Sequence, residues 1–207
     1  MNKDVQIVLF FSKNTYYNAT RLAAKINEKV EILKEAMVLP QNSQKRDEPI
    51  ILFNQNEDFQ VTLNYEAMTL LYRKEKSKEG KKVLLDLLEV ILDEDLTFTR
   101  IGYISTNEMP KKKVQLFKDD VFQVEEIKKS EDFQLSWYTP IMLNATKVNL
   151  WQKYLTDSMQ TDNLIAIFDV NTPLEEEYLI TIDFVDNYIE KVEELISKKL
   201  EGIGNDE

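Results

Sequence analysis

The feature that most constrains the fold of this sequence is an order of strand-like and helix-like segments that occurs twice. Residues 4–95 give the order strand, helix, three strands, helix, and residues 98–201 give the same order again. Strand-like segments are apolar or alternate with a period of two, whereas helix-like segments place apolar residues three and four apart. The pattern predicts an α+β protein of two pseudo-duplicated units, with a mostly antiparallel sheet covered by long helices.

The limits of these segments follow from their apolar spacing and from the residues that interrupt it. The strand-like segments are residues 4–11, 50–53, 59–65, 68–73, 98–105, 133–138, 148–154 and 164–170. The helix-like segments are residues 19–37, 77–95, 114–127 and 183–201. No Gly-, Ser- or Pro-rich linker separates the two units, and 207 residues can bury a large core. We therefore expect residues 1–207 to form one compact domain.

Two missing residue types limit the chemistry of the chain. It contains no His and no Cys, and it has only 4 Gly residues. These counts exclude Ser-His-Asp catalysis, histidine or thiolate metal sites, and phosphate-binding glycine loops. We assign no catalytic residue, no metal ligand and no cofactor, and we expect a protein that is not an enzyme.

The chain is acidic, with 37 Asp and Glu residues against 26 Lys and Arg residues and a formal net charge of -11. Residues 97–207 hold 21 of the acidic and 12 of the basic residues. Such a surface repels nucleic-acid phosphates and attracts basic protein surfaces. The apolar run at residues 7–11 is too short for a secretion signal or a membrane span. We expect a cytoplasmic protein with a basic protein partner and no direct nucleic-acid or membrane binding.

The densest acidic stretch surrounds the short helix predicted at residues 114–127, whose apolar residues fit a core only weakly. We predict that this stretch binds the partner, because long-range attraction between opposite charges speeds the encounter. The residues assigned to this site are Asp119, Asp120, Glu125, Glu126, Glu131 and Asp132.

Trp151 is a further candidate for partner binding. It lies next to Leu150 in a segment of alternating residues, so it is predicted to point away from the core. An exposed Trp between Lys147 and Lys153 is typical of a binding hot spot. Trp137, by the same alternation, is predicted to lie inside the core.

Together these features predict an acidic, non-enzymatic protein-binding module. Its concrete form is a phage or mobile-element inhibitor that occupies the nucleic-acid-binding surface of a host defence protein. One alternative is a small-ligand-binding or chaperone-like protein with an apolar groove and exposed aromatic residues such as Trp151. Another is a Mg²⁺-dependent enzyme that uses only Asp and Glu, for example Asp93-Glu94-Asp95. Helix faces such as residues 185–196 could also pair two chains as a homodimer.

Arg100-Ile101-Gly102 lies in the strand predicted at residues 98–105, near the middle of the chain. This run resembles the mid-chain strand of a sporadically distributed bacterial family without an assigned function. The resemblance implies a mobile-element or defence-related context and supplies no catalytic residues. The chain departs from the family pattern after Tyr103, where members usually continue with a basic residue. The repeated segment order also resembles the vicinal oxygen chelate fold, and without His it implies a metal-free binding version.

Overall fold

One antiparallel sheet organises the chain in a computed structural model. The model describes residues 4–12, 18–33, 36–38, 50–54, 58–110, 112–123, 125–129, 132–157 and 161–203. The strands in these ranges are β1 (Asp4–Phe11), β2 (Ala36–Val38), β3 (Ile50–Phe53), β4 (Phe59–Leu63), β5 (Ala67–Arg73), β6 (Phe98–Met109), β7 (Gln134–Leu143), β8 (Thr146–Asp157) and β9 (Thr161–Asn171). The α-helices are α1 (Ala19–Lys29), α2 (Ser77–Leu92), α3 (Lys112–Val121), α4 (Glu125–Lys128) and α5 (Ile182–Glu201).

The strands are ordered β2-β3-β4-β5-β1-β6-β9-β8-β7, and every neighbouring pair is antiparallel. β1 and β6 pair with each other near the centre. Moving outward, β1 is followed by β5, β4 and β3, whereas β6 is followed by β9, β8 and β7. The predicted α+β class with an antiparallel sheet is confirmed.

One face of the sheet lies in the hydrophobic core. On β1, buried side chains alternate with partly exposed ones, and the strand register carries this alternation to the neighbouring strands. We call the buried side the core face; it includes Val5, Ile7, Tyr103, Phe168 and Tyr154. We call the opposite side the outer face; it includes Gln6, Val8, Ile104, Asp169 and Trp151.

The apolar sides of the longer helices belong to the same core. The Oγ1 atom of Thr181 accepts the backbone N–H of Phe184 at 3.2 Å and caps the first turn of α5. The buried side chains of α5 follow the predicted spacing and are Val185, Tyr188, Ile189, Val192 and Ile196. None of the helices in the described ranges is long and apolar enough to cross a membrane.

The first helix ends earlier than its apolar spacing predicts. α1 ends at Lys29, and Val30 has an extended backbone with φ -92° and ψ 98°. A 3₁₀ turn at Glu31–Leu33 and strand β2 follow, so Met37 lies on a strand. The side-chain amide of Asn27 donates to the carbonyl oxygen of Leu33 at 2.8 Å, which holds the turn against the helix.

Candidate functional site

The acidic stretch predicted to bind a partner lies on α3 and α4. Asp119 and Asp120 are exposed near the end of α3, and Glu125 is exposed at the start of α4. Gln115 Nε2 donates to Asp119 Oδ1 at 2.9 Å, and Lys128 Nζ lies 3.3 Å from Glu125 Oε1. These contacts are local, within one helix each, and they leave the carboxylates at the surface.

The other residues of the predicted site are described to different extents. Asp132 is exposed, just before the edge strand β7 begins. Glu126 belongs to α4, but its side chain is outside the described part of the chain, and Glu131 lies outside it altogether. From here on, the acidic segment means Asp119, Asp120, Glu125 and Asp132.

Aromatic contacts fix α3 to the sheet. Phe117 is buried and stacks on Tyr154 of β8 with ring centroids 4.6 Å apart. Phe133 also stacks on Phe117, at 5.7 Å, and meets the edge of Phe122 at 5.4 Å. Stacked and edge-to-face rings at these distances stabilise a contact beyond the area they bury. Phe117 therefore anchors α3 to the core, whereas Leu116 and Val121 of the same helix are exposed, in line with the expected weak fit.

Trp151 is exposed on the outer face, as its alternation with buried neighbours predicts. Its exposed fraction is 49%, and that of Tyr138, its register partner on β7, is 45%. The two rings are 5.0 Å apart and tilted by 45°; we call them the aromatic pair. Trp137 lies on the core face and stacks on Tyr154 at 5.3 Å, yet it is 37% exposed. The prediction that Trp137 lies inside is wrong, because β7 is an edge strand.

A chain of hydrogen bonds extends from the aromatic pair across the outer face. The Tyr138 hydroxyl donates to Asn149 Oδ1 at 2.8 Å, and Asn149 Nδ2 donates to Asn171 Oδ1 at 3.4 Å. Asn171 Nδ2 in turn donates to Asp169 Oδ1 at 3.1 Å. Sequence reasoning missed this polar row because its members come together only through strand register.

The structure does not bring all predicted site residues together. Phe117 of α3 contacts Tyr154, which belongs to the core face, whereas Trp151 is three residues away on the same strand and points to the outer face. The acidic segment and the aromatic pair therefore lie on opposite sides of the sheet. They form two surfaces rather than one.

Buried tyrosines occupy the core next to α5. The Tyr103 hydroxyl donates to Glu193 Oε1 at 3.1 Å, and the Tyr188 hydroxyl donates to the carbonyl oxygen of Val170 at 2.7 Å. Burial raises the pKa of Tyr103 and of Tyr188 well above the ordinary range of tyrosine. Both hydroxyls therefore stay protonated at neutral pH and act as structural hydrogen-bond donors.

The carboxylates at the end of α2 face basic residues of α1. Glu94 forms ion pairs with Lys25 and, at 3.8 Å, with Arg21, while Asp93 pairs with Lys29 at 3.1 Å. These contacts give Asp93 and Glu94, two members of the candidate magnesium site Asp93-Glu94-Asp95, a structural role between two helices. In the part of the chain that the structure describes, no group of three or more carboxylates is arranged to hold a metal ion.

A small cavity lies beside the central strand β6. Its volume is about 180 Å³, and Lys74, Asn107, Glu108, Met109 and Leu200 line it. Lys74 Nζ donates to Asn107 Oδ1 across this space. The cavity is smaller than the roughly 300–1,000 Å³ usual for ligand pockets, so it gives little support to an apolar groove.

No family model matches the chain, and no curated protein matches it.

Proposed function

We propose that this chain is an acidic, non-enzymatic protein-binding module whose acidic segment contacts a basic surface of a partner. The observation that supports the proposal is that Asp119 and Asp120 are exposed on α3, the helix fixed to the sheet by buried Phe117. Glu125 is exposed at the start of α4, which follows α3 in the chain. Charges on a fixed element lose less conformational freedom on binding than charges on a loose tail. Such an element suits recognition of a complementary surface.

The charge of the whole chain favours the same kind of partner. A formal net charge of -11 attracts a basic surface and speeds the encounter. Surfaces that hold nucleic-acid phosphates are rich in Lys and Arg, so the protein would compete with nucleic acid for them. In its concrete form the proposal is a cytoplasmic, phage- or mobile-element-encoded inhibitor of a host defence protein.

We also propose that the fold is a pseudo-duplication. β1, α1, β3, β4, β5 and α2 would correspond to β6, α3, β7, β8, β9 and α5, in that order. The strand order supports this, because each half places its first strand at the centre and its last strand next to it. α2 and α5 contact each other and bury apolar side chains in the common core, which supports long helices covering the core face.

Small-ligand binding is the second candidate, and the aromatic pair is the observation that favours it. Exposed Trp and Tyr rings beside hydrogen-bonding amides can stack on a flat ligand and orient it. This function would use the outer face and would depend little on salt. Replacing Trp151 would abolish it, whereas replacing the acidic segment would not.

The test is capture of partners from a native lysate at low and at high salt, followed by mass spectrometry. The Asp119→Lys/Asp120→Lys variant should lose the partner that the wild type captures at low salt. The control is Glu175→Lys/Glu177→Lys, which makes the same change in net charge at exposed positions. Tyr178, next to Glu177, donates its backbone N–H to the carbonyl oxygen of Thr99. Thr99 lies near the start of β6, about 30 Å along this strand from Met109, after which the chain enters α3. Equal capture by wild type and both variants, or loss in both variants, would contradict the proposed surface.

A further inference from the structure

The edge strand β7 contains no charged residue. Its sequence is Gln-Leu-Ser-Trp-Tyr-Thr-Pro-Ile-Met-Leu, in a chain of which 30% of residues are charged. β7 is the last strand in the sheet and pairs only with β8 among the strands that the structure describes. Edge strands of monomeric proteins usually carry Lys or other charges that prevent the addition of another strand. Charge does not protect β7 in this way.

The backbone groups of β7 that face outward can be identified from one hydrogen bond. Thr156 N–H donates to the carbonyl oxygen of Phe133 at 3.1 Å, so the backbone groups of Phe133 point toward β8. The register of β7 and β8 continues from this pair without a shift, and the direction of the backbone groups alternates along a strand. The residues whose backbone groups point away from β8 are therefore Gln134, Ser136, Tyr138, Pro140 and Met142; Pro140 offers only its C=O.

Large apolar side chains are exposed on both sides of this edge. Tyr138 and Met142 lie on the outer face, and Met142 is 62% exposed. Trp137, on the core face, is exposed where the sheet ends. A strand added along residues 134–138 would cover part of Tyr138 on one face and of Trp137 on the other, and it would supply partners for the outward backbone groups there.

We propose that β7 pairs with β7 of a second copy of this chain, antiparallel across a two-fold axis. Two chains that each carry a charge of -11 repel each other, and this repulsion is smallest where the surface carries no charge. A basic partner, in contrast, fits the acidic segment rather than a neutral edge. A two-fold axis lets both copies use the same edge, which closes the assembly at a dimer.

Pro140 selects the register of this pairing, because it has no N–H to donate outward. Centring the axis on Ser136 pairs Gln134 with the partner's Tyr138 and leaves Pro140 beyond the ladder. This register forms about six hydrogen bonds and leaves none of the outward groups from Gln134 to Tyr138 unpaired. Centring the axis one residue later would place the Gln134 carbonyl against the partner's Pro140, which offers no donor.

Light scattering of the purified full chain after size-exclusion chromatography tests the proposal. The apparent mass should rise with concentration from 24.4 kDa toward twice that value. Ser136→Lys places like charges opposite each other at the axis and should weaken the dimer up to about fivefold. Ala145→Lys, at the exposed tip of the same hairpin, adds the same charge and should leave the dimer intact. A monomer at every soluble concentration, or equal effects of the two variants, would overturn the proposal.

Cysteine cross-linking tests the register, and the chain has no native Cys to interfere. Paired residues of antiparallel strands have Cα atoms about 5.5 Å apart, so Ser136→Cys should link two copies through a short bismaleimide. Gln134→Cys is the control, because the two Gln134 positions would be about 14 Å apart along the strand. Efficient linking at Ser136 alone supports the proposal. Equal linking at both positions, or linking at Gln134 alone, overturns it.

Discussion

Gly80→Ala should destabilise the protein even though Ala favours helices. Gly80 lies in α2 directly against the ring of Tyr72 on β5. A Cβ atom at this position would be 2.7 Å from ring atoms Cδ2 and Cε2 and 2.8 Å from Cδ1. Carbon atoms in contact prefer about 3.5–4.0 Å, so helix and ring would have to separate by about 0.8 Å.

The size of the effect follows from two opposing terms. Replacing Gly by Ala inside a helix gains about 1 kcal/mol of helix propensity. Overfilling a packed core typically costs about 1–3 kcal/mol, and we expect the upper part of this range because the Tyr72 ring is fully buried against Phe59. The free energy of unfolding should fall by about 1–2 kcal/mol, which lowers Tm by about 2–8 °C for a chain of this size.

Urea unfolding followed by circular dichroism measures this change. Lys82 is exposed on the same helix, so the difference between Lys82→Ala and Lys82→Gly gives the propensity term without the contact. Subtracting that term from the Gly80→Ala result isolates the cost of the clash. A Gly80→Ala chain that is more stable than the wild type by the full propensity term would show that α2 can move away from β5 without penalty, and the reasoning would fail.

Two further expectations concern aromatic residues. Phe117→Ala should lower the free energy of unfolding by about 3–5 kcal/mol in a urea titration, because the ring is buried on Tyr154; a loss below about 1 kcal/mol would contradict this. Burial raises the pKa of Tyr154 to about 12 and that of Tyr188 well above its ordinary range. As the pH rises, these two hydroxyls therefore lose their protons at a lower pH in the unfolded chain than in the folded one. The free energy of unfolding should not depend on them below about pH 10 and should fall above about pH 10. Unfolding measurements that show no loss between about pH 10 and pH 12 would contradict the assignment.

Local patterns predicted the parts of the fold whose burial is regular. The apolar, β-rich run from Asp4 to Phe11 predicted the correct limits of β1, and the spacing from Val185 to Ile196 predicted the buried side of α5. The pattern failed at residues 30–38, because Leu33 keeps helical spacing and is buried even though the helix has ended. A short apolar run fits a helix or a strand equally well, and only the pairing with β3 makes residues 36–38 a strand.

The candidate surfaces were less predictable, because they depend on sheet order and register. Alternation correctly placed Trp151 outside, but it could not show that β7 is an edge strand that leaves Trp137 partly exposed. One useful signal was present in the sequence. Asn144, with a φ of 55°, helps form a two-residue turn between Leu143 and Thr146, and this turn fixes the register that pairs Tyr138 with Trp151.

The two proposed surfaces should respond to salt in opposite directions. Attraction between the acidic segment and a basic partner weakens as salt screens the charges, and the screening length falls from about 10 Å at 0.1 M to about 3 Å at 1 M. Pairing of two β7 strands involves no charged residue, whereas the chains that carry them repel each other through a charge of -11 each. Added salt screens this repulsion and strengthens apolar contact, so the dimer should become tighter as partner capture declines. A dimer that dissociates with added salt would depend on charged contacts, and β7, which has none, could not be its interface.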